Sequence, residues 1–193
     1  MPELWLARHG ETEWTISRQH TGNTDLPLTE NGERQAKALG ARLAGVKFDA
    51  VVSSPMQRAR RTAELAGLGD RLEVDEDFRE YDYGEYNGIT TAEIKETRPD
   101  WDLWRDGCPG GETTPEVGAR ADRMVARLRE RGERIVVFGH GHMSRVLAAR
   151  WLGMDATGGR YLKMGTATLS IIGEEHGHPA IVLWNDPSHL PDA

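Results

Sequence analysis

The 193-residue sequence has little cysteine and no long apolar run, and each shortage excludes a class of protein. Cys108 is the single cysteine, which rules out an internal disulfide framework and favours a reducing compartment. No apolar stretch approaches the ~18 residues of a membrane span. The first residues, Met1 to Glu3, lack the basic and apolar regions of a secretory signal. We therefore predict a cytoplasmic location and no membrane partner.

An excess of basic charge is also lacking. Lysine and arginine number 24 against 31 aspartate and glutamate residues, which gives a net charge of -7. Broad binding of nucleic acid depends on basic surfaces that neutralise phosphates, so we predict no nucleic-acid partner. The Gly-x-x-x-x-Gly-Lys loop of nucleotide-binding proteins and the Gly-x-Ser-x-Gly elbow of serine hydrolases are absent too. An anionic ligand would therefore have to bind at a local cluster of arginines.

The pattern of apolar residues predicts one α/β domain over residues 1–193. The runs at 4–7 and 135–138 are typical of strands buried in a parallel sheet. Between these runs, apolar residues recur at the spacing of amphipathic helices. A hairpin that turns at Gly177 completes the sheet. The remaining predicted strands are 49–53, 168–172 and 180–184.

Hydroxyl side chains mark three predicted helix starts. Thr29 is the candidate N-cap of a helix over roughly residues 30 to 44. Ser54-Pro55 and Thr114-Pro115 each combine a candidate N-cap with a proline at the first helical position. Each pair therefore predicts that a helix begins at its proline.

Two of the buried runs end in a histidine. The first run is followed by Arg8 and His9, and the second by Gly139 and His140. Ligands of parallel α/β sheets bind at the carboxyl ends of the strands, so both imidazoles are expected at one edge. A permanent guanidinium charge beside an imidazole that titrates near neutrality suits a dianionic phosphoryl group. The alternative is that each histidine is a polar residue emerging at the surface.

A third cationic group, Arg58, falls in the first turns of a predicted helix and off its apolar stripe. The unpaired N–H groups of a helix start favour an anion at that place. Arg58, Arg60 and Arg61 could equally form a solvated helix face.

The segment 75–88 mixes acids with aromatic residues and glycines, and it predicts a structured loop. Carboxylates packed among aromatic rings lose solvation, which raises their pKa values and suits a general acid. Composition alone does not choose among Glu76, Glu80, Asp82 and Glu85.

Four segments occur together in one order along the chain. They are 8–14 (RHGETEW), 21–25 with 28–29 (TGNTD and LT), 53–59 (SSPMQRA) and 140–145 (HGHMSR). Together they resemble the histidine phosphatase superfamily, also called phosphoglycerate mutase-like. The resemblance spans nearly the whole chain and implies a three-layer α/β/α sandwich with a mostly parallel central sheet.

The resemblance implies that His9 is a nucleophile. It would form a phosphohistidine that water then hydrolyses, with a backbone carbonyl fixing the tautomer of the ring. Arg8, Arg58 and His140 resemble the clamp that holds the phosphate in this family. Together with His9, these three residues are the family's catalytic groups. No metal and no cofactor are implied.

The Tyr83-Gly84 pair follows Glu80, and matching this pair to the family places the proton donor at Glu80. Glu85 is the second choice. This acid would protonate the leaving alkoxide and then activate water. Thr21 and Gly22 resemble a substrate-contacting turn, and Gly141 joins Arg8, Arg58 and His140 among the substrate-binding residues.

Two positions fit the resemblance less well. Thr15 stands where many members have asparagine, so a phosphate contact from its hydroxyl is in doubt. His142 matches no catalytic position of the family. It is a candidate for the pocket rim, although a solvent-facing loop histidine is the more expected outcome.

The segment 98–116 bears on the choice between phosphatase and mutase. Mutases of this family carry a longer insertion with extra basic residues there, whereas this chain offers Arg98 and Arg105 among acids and tryptophans. The resemblance therefore implies a histidine acid-type phosphatase that acts without metal on small phosphorylated metabolites such as sugar phosphates. Phosphoglycerate mutase is the alternative. The sequence leaves a homodimer open.

Two further alternatives come from other classes. A metal-dependent hydrolase could use His140, His142 and the histidines of the segment 174–178. A non-catalytic relative could recognise phosphate without turnover.

Overall fold

The computed structural model describes residues 1–191, and its centre is one six-stranded sheet with the strand order β3-β2-β4-β1-β5-β6. The strands are β1 Glu3–Arg8, β2 Ala50–Ser53, β3 Leu72–Val74, β4 Arg134–Gly139, β5 Leu169–Glu175 and β6 His178–Asp186. The pairs β1–β4, β2–β4 and β2–β3 are parallel, whereas β1–β5 and β5–β6 are antiparallel. The mostly parallel sheet predicted from the sequence is confirmed.

Seven α-helices surround the sheet in the described part of the chain. They are α1 Glu13–Ser17, α2 Glu30–Leu43, α3 Gln57–Leu65, α4 Thr91–Thr97, α5 Leu103–Asp106, α6 Thr114–Arg129 and α7 Gly141–Trp151. Short 3-10 helices span Gly69–Arg71, Glu76–Phe78, Gly84–Tyr86 and Ala156–Tyr161. None of these helices is long and apolar enough to cross a membrane.

The sheet separates two apolar cores because successive side chains of a strand point to opposite faces. Leu4 and Leu6 of β1 pack into a core with α6 and α7. Trp5 and Ala7 of the same strand pack into a second core with α2 and α3. Helices therefore cover both faces, which confirms the three-layer α/β/α sandwich.

The helix starts agree only in part with the sequence. Thr29 caps α2, since its hydroxyl accepts from the Gly32 N–H at 3.0 Å. The start predicted at Ser54-Pro55 is wrong, because α3 begins at Gln57 and the Ser54 hydroxyl faces a histidine instead. The cap predicted at Thr114 is one residue late. Thr113 is the N-cap of α6.

The register of the parallel strands brings three strand ends level. Arg8 pairs with Gly139, and Ser53 pairs with Phe138. The chain stays aligned beyond the strands, because the His9 N–H donates to the Gly139 carbonyl at 3.0 Å. Residues that directly follow β1, β2 and β4 therefore meet at one edge of the sheet.

Candidate active site

Two imidazoles lie side by side at this edge. The ring centroids of His9 and His140 are 5.3 Å apart, and the ring planes are inclined by 63°. Each histidine directly follows a parallel strand, and the two strands are neighbours. Both side chains are buried, so the alternative of surface histidines at the strand ends does not describe this structure.

The backbone fixes the tautomer of His9. Its Nδ1 lies 2.8 Å from the Gly10 carbonyl oxygen, which can only accept, so Nδ1 carries the proton and Nε2 has the lone pair. Burial lowers the pKa of His9 well below its usual value, and the charges of Arg58 and Arg8 lower it further. The ring is therefore neutral at pH 7. A side chain at Gly10 would not fit, since its Cβ would lie 2.5 Å from the Gly32 carbonyl oxygen.

The two arginines nearest to His9 are tied to backbone carbonyls. Arg8 Nη1 donates to the Met164 carbonyl at 2.7 Å. Arg58 donates to the carbonyls of Thr21, Gly22 and Thr24 at 2.9 to 3.2 Å. Arg58 is 0% exposed, so the alternative that it belongs to a solvated helix face is wrong.

His140 rests on a serine hydroxyl. Its Nε2 lies 2.7 Å from Ser54 Oγ, and this oxygen also accepts from the Met56 N–H at 3.2 Å. Burial lowers the pKa of His140 well below its usual value, and the charge of Arg58 adds to this effect. If the Ser54 O–H donates to Nε2, the proton of the neutral ring sits on Nδ1.

Three nitrogen atoms around His9 are buried and have no hydrogen-bond partner within residues 1–191. They are Arg8 Nε, Arg58 Nε and His140 Nδ1. Buried polar groups in proteins are nearly always paired, so such a cluster of donors needs an explanation. An anion bound in this site would supply the hydrogen-bond acceptors that such donors lack.

Among the four candidate acids, Glu80 lies in the site. It is 6% exposed, and its carboxylate accepts from the backbone N–H groups of Tyr81, His142 and Met143 at 2.7 to 3.0 Å. Two of these donors belong to the first turn of α7, where the helix dipole favours a negative charge. Glu85 is exposed on its 3-10 helix and does not line the cavity described next.

A partly buried ion pair holds the loop that carries Glu80. Arg120 of α6 donates to both carboxylate oxygens of Glu112 and to the carbonyls of Asp77, Arg79 and Glu80. Glu112 in turn accepts from the backbone of the same loop. Neither residue carries a signal in the sequence that distinguishes it from the other charges of its helix or turn.

An open cavity of about 540 Å³ leads from the surface to His9. Of the residues predicted for the site, Arg8, His9, Thr21, Glu80 and Gly141 line it. Arg58 and His140 are fully buried behind this lining. Gly22 lies behind it as well. Its N–H donates to Asn87, and its carbonyl accepts from Arg58.

Comparison with known proteins agrees with this geometry. The family model described as "Histidine phosphatase superfamily (branch 1)" matches residues 4–187. The chain belongs to the histidine phosphatase superfamily. An acid phosphatase of Mycobacterium tuberculosis (strain ATCC 25618 / H37Rv) is 43% identical, and the match covers 90% of this chain and 87% of that protein.

A yeast relative and a solved structure extend the comparison for this histidine phosphatase chain. Sedoheptulose 1,7-bisphosphatase of Saccharomyces cerevisiae is 40% identical, over 79% of this chain and 68% of that protein. The solved structure of the open reading frame Rv3214 from Mycobacterium tuberculosis superposes with a TM-score of 0.91 at 39% identity. That match covers 96% of this chain and 97% of the other.

The position of His142 differs from the expectation of a solvent-facing loop histidine. It lies in the first turn of α7 and lines the cavity. Its Nδ1 is 2.6 Å from the Tyr83 hydroxyl, and burial lowers its pKa well below the usual value. The pocket-rim candidate therefore agrees with the structure, and the solvent-facing alternative is wrong because the helix begins directly at Gly141 and turns the next side chain toward the cavity.

Thr15 also lines the cavity, but its hydroxyl is already engaged. It accepts from the Thr12 N–H at 2.9 Å and donates to the Thr12 carbonyl at 2.8 Å, which closes the capping box of α1. The side chain that stands in place of the family's asparagine therefore has a local structural role.

The features behind the metal-dependent alternative do not come together. His176 and His178 are exposed at the β5–β6 hairpin and do not line the cavity. Across residues 1–191, no three histidine, cysteine, aspartate or glutamate side chains are grouped as metal ligands would be.

Sequence reasoning missed several residues of this histidine phosphatase cavity. Tyr83, Arg145 and Lys163 line it, and none was assigned a role from the sequence. Arg145 could have been found, because it follows His142 by three positions and so shares its face of α7. Lys163 carries no comparable signal.

Proposed function

We propose that this member of the histidine phosphatase superfamily hydrolyses phosphomonoesters of small metabolites, sugar phosphates or similar, through a phosphohistidine on His9. The observation that carries the proposal is the cluster of three unpartnered buried nitrogens around a neutral His9 whose Nε2 has a lone pair. A phosphoryl group would supply the missing acceptors and present its phosphorus to that lone pair. No metal or cofactor takes part.

In the first step, His9 Nε2 attacks phosphorus, and the bond between phosphorus and the ester oxygen breaks. The leaving alkoxide takes a proton from Glu80, which lines the cavity beside His9. Arg8, Arg58 and His140 bind the non-bridging oxygens and stabilise charge in the loose transition state. The neutral state of His9, favoured by burial and by both arginines, keeps it nucleophilic.

In the second step, water attacks the phosphohistidine. The Glu80 carboxylate accepts a proton from that water, and the bond between phosphorus and His9 Nε2 breaks to release phosphate. Glu80 then holds the proton that the next turnover requires. Its three backbone N–H donors keep the carboxyl in one position for both steps.

Hydrolysis is favoured over phosphoglycerate mutase activity by the placement of two arginines. Arg98 donates to the Tyr86 hydroxyl, and Arg105 pairs with Asp106. Neither lines the cavity, so the segment in which mutases of this family carry extra basic residues adds no cation to the cavity of this chain. We expect 3-phosphoglycerate with a trace of 2,3-bisphosphoglycerate to give free phosphate and negligible 2-phosphoglycerate.

The setting of the enzyme is part of the proposal. A net charge of -7 and one buried cysteine fit a single-domain cytoplasmic enzyme that acts on small molecules and not on nucleic acid or membranes. A homodimer is the assembly we would test first, by sedimentation of the purified chain.

The direct test measures hydrolysis of p-nitrophenyl phosphate in excess chelator, together with acid-labile, base-stable phosphoenzyme after rapid quenching. We expect turnover and a trapped phosphohistidine. His9→Ala should abolish the phosphoenzyme and lower kcat/KM by about 10⁴-fold or more, because the nucleophile is gone. His178→Ala, at the exposed hairpin, should change neither. A metal requirement, or a phosphoenzyme in His9→Ala, would contradict the proposal.

A further inference from the structure

The cavity carries more positive charge than one phosphoryl group needs. Its lining includes Arg18, Arg145 and Lys163 in addition to Arg8, and Glu80 is the one carboxylate among the lining residues. None of the three additional cations pairs with a carboxylate within residues 1–191. On a chain of net charge -7, a cavity with this balance is selective for anions.

Arg145 is the most firmly held of these cations. Its Nε donates to the Gly159 carbonyl at 2.9 Å, and its Nη2 donates to the Arg160 carbonyl at 3.1 Å. Its guanidinium lies over the Trp104 ring, 4.7 Å from the centroid. Nη1 makes no hydrogen bond with the described residues. A fixed guanidinium with a donor left over is suited to a carboxylate or a phosphate.

His142 lies three positions before Arg145, so both occupy one face of α7 and both line the cavity. The Tyr83 hydroxyl has one partner in the described chain, His142 Nδ1. With the phenol O–H donating to Nδ1, the proton of the neutral ring sits on Nε2. His142 and the Arg145 guanidinium both lie against the Trp104 ring, at 5.6 and 4.7 Å from its centroid, so the imidazole and the guanidinium are neighbours.

We propose that Arg145, Lys163 and His142 form a second anion subsite, and that the preferred substrate is a phosphomonoester with a second anionic group at its far end. This inference rests on the proposed function, because the first anion must be the phosphoryl group at His9. The second anion is a phosphate or a carboxylate, since both accept from a guanidinium and an ammonium group. A cavity of about 540 Å³ is of the size that holds a whole small metabolite.

The experiment uses substrates that differ only at the far end. A series of linear α,ω-diols is prepared as monophosphates, as bisphosphates and as the matching phosphooxy-carboxylates, and kcat/KM is measured from phosphate release. We expect the doubly anionic compound of the best chain length to exceed its monophosphate by about tenfold or more. The bisphosphate and carboxylate arms show which anion the subsite takes.

Arg145→Gln assigns the effect to the subsite. We expect it to remove most of the preference for the second anion and to leave kcat/KM for p-nitrophenyl phosphate within about twofold, because that ester has no second anion. Arg150→Gln is the matched control, since Arg150 belongs to the same helix, pairs with Asp122 and does not line the cavity. Exposed Lys163 permits a second variant, Lys163→Gln, should Arg145→Gln fail to fold.

Two outcomes overturn the inference while the proposed function stands. In one, p-nitrophenyl phosphate is hydrolysed but neither doubly anionic series is preferred at any length. In the other, Arg145→Gln and Arg150→Gln change the preference equally. If no phosphomonoester is hydrolysed at all, the proposed function itself is wrong.

Discussion

The floor of the cavity and its outer wall are built from different kinds of segment. The floor, defined as Arg8 and His9 together with Ser54, Arg58 and His140 buried behind them, comes from residues at or just after parallel strands and, for Arg58, from the first turn of α3. The outer wall, defined as Tyr83, His142, Arg145 and Lys163, comes from a loop, one helix face and a connecting segment. We infer that the floor fixes the chemistry and that the wall fixes the choice of substrate.

Burial separates the two regions further. Every side chain of the floor is buried except that of Arg8, which is partly exposed into the cavity, whereas Lys163 of the wall is exposed. Changes on the floor are therefore expected to affect all substrates alike. Changes on the wall should affect only substrates that reach it.

Glu80 lies between the two regions, and among the replacements Glu80→Gln, Ser54→Ala and Tyr83→Phe the first is expected to have the largest effect. Glu80→Gln removes the proton donor, so we predict a loss of about 10²- to 10³-fold in kcat for an alkyl phosphate. The loss should be smaller for p-nitrophenyl phosphate, whose phenolate leaves with little protonation. Steady-state kinetics with both esters measures this difference.

Glu85→Gln is the matched control for this prediction. Glu85 is exposed and outside the cavity, so its variant should keep normal rates with both esters. A larger loss for Glu85→Gln than for Glu80→Gln would transfer the acid role and show that the geometry of the Glu80 carboxyl has been misinterpreted.

Ser54→Ala tests whether the floor depends on the hydroxyl beneath His140. Without it, His140 Nε2 loses its partner at 2.7 Å, and the Nδ1 proton is no longer favoured. We predict a loss of about tenfold in kcat/KM for p-nitrophenyl phosphate and for alkyl phosphates alike. Ser54→Thr keeps the hydroxyl and should restore most of the rate. Equal losses in both variants would mean that packing, and not the hydrogen bond, is responsible.

Tyr83→Phe is a change on the wall and is expected to have the smallest effect. It removes the O–H that fixes the His142 tautomer, so we predict a loss of about threefold in kcat/KM for doubly anionic substrates only. Tyr86→Phe, outside the cavity, is the control. A loss that extends to p-nitrophenyl phosphate would place Tyr83 with the floor and break the distinction between the two regions.

Most of the floor could be predicted from the sequence. Apolar runs that stop at Arg8-His9 and at Gly139-His140 predict neighbouring strand ends, and the family motifs add Arg58. What could not be predicted is the role of Ser54. Its pattern is that of a helix cap, but the hydroxyl is 86 positions from the His140 ring that it contacts. The local pattern of a helix start therefore did not predict the tertiary contact that Ser54 makes.

Most residues of the wall could not be predicted from the sequence, for the same reason. The carbonyls and the ring that hold Arg145 belong to Gly159, Arg160 and Trp104, which helical periodicity does not connect to α7. His142 was expected in a loop because nothing in the sequence marks the helix start at Gly141. The fold class needs only the order of the elements, whereas a pocket wall needs the direction of each side chain.

In the proposed arrangement, helix α7 sets the spacing of the substrate's two charges. His140 directly precedes the helix, Glu80 is bound to its first N–H groups, and Arg145 projects from its second turn. At a rise of 1.5 Å per residue, positions 140 and 145 are offset by about 7.5 Å along the axis. Because the helix is rigid, this offset is fixed. Adapting the site to a longer or shorter substrate would require a new cation at another turn of the helix and not a movement of Arg145.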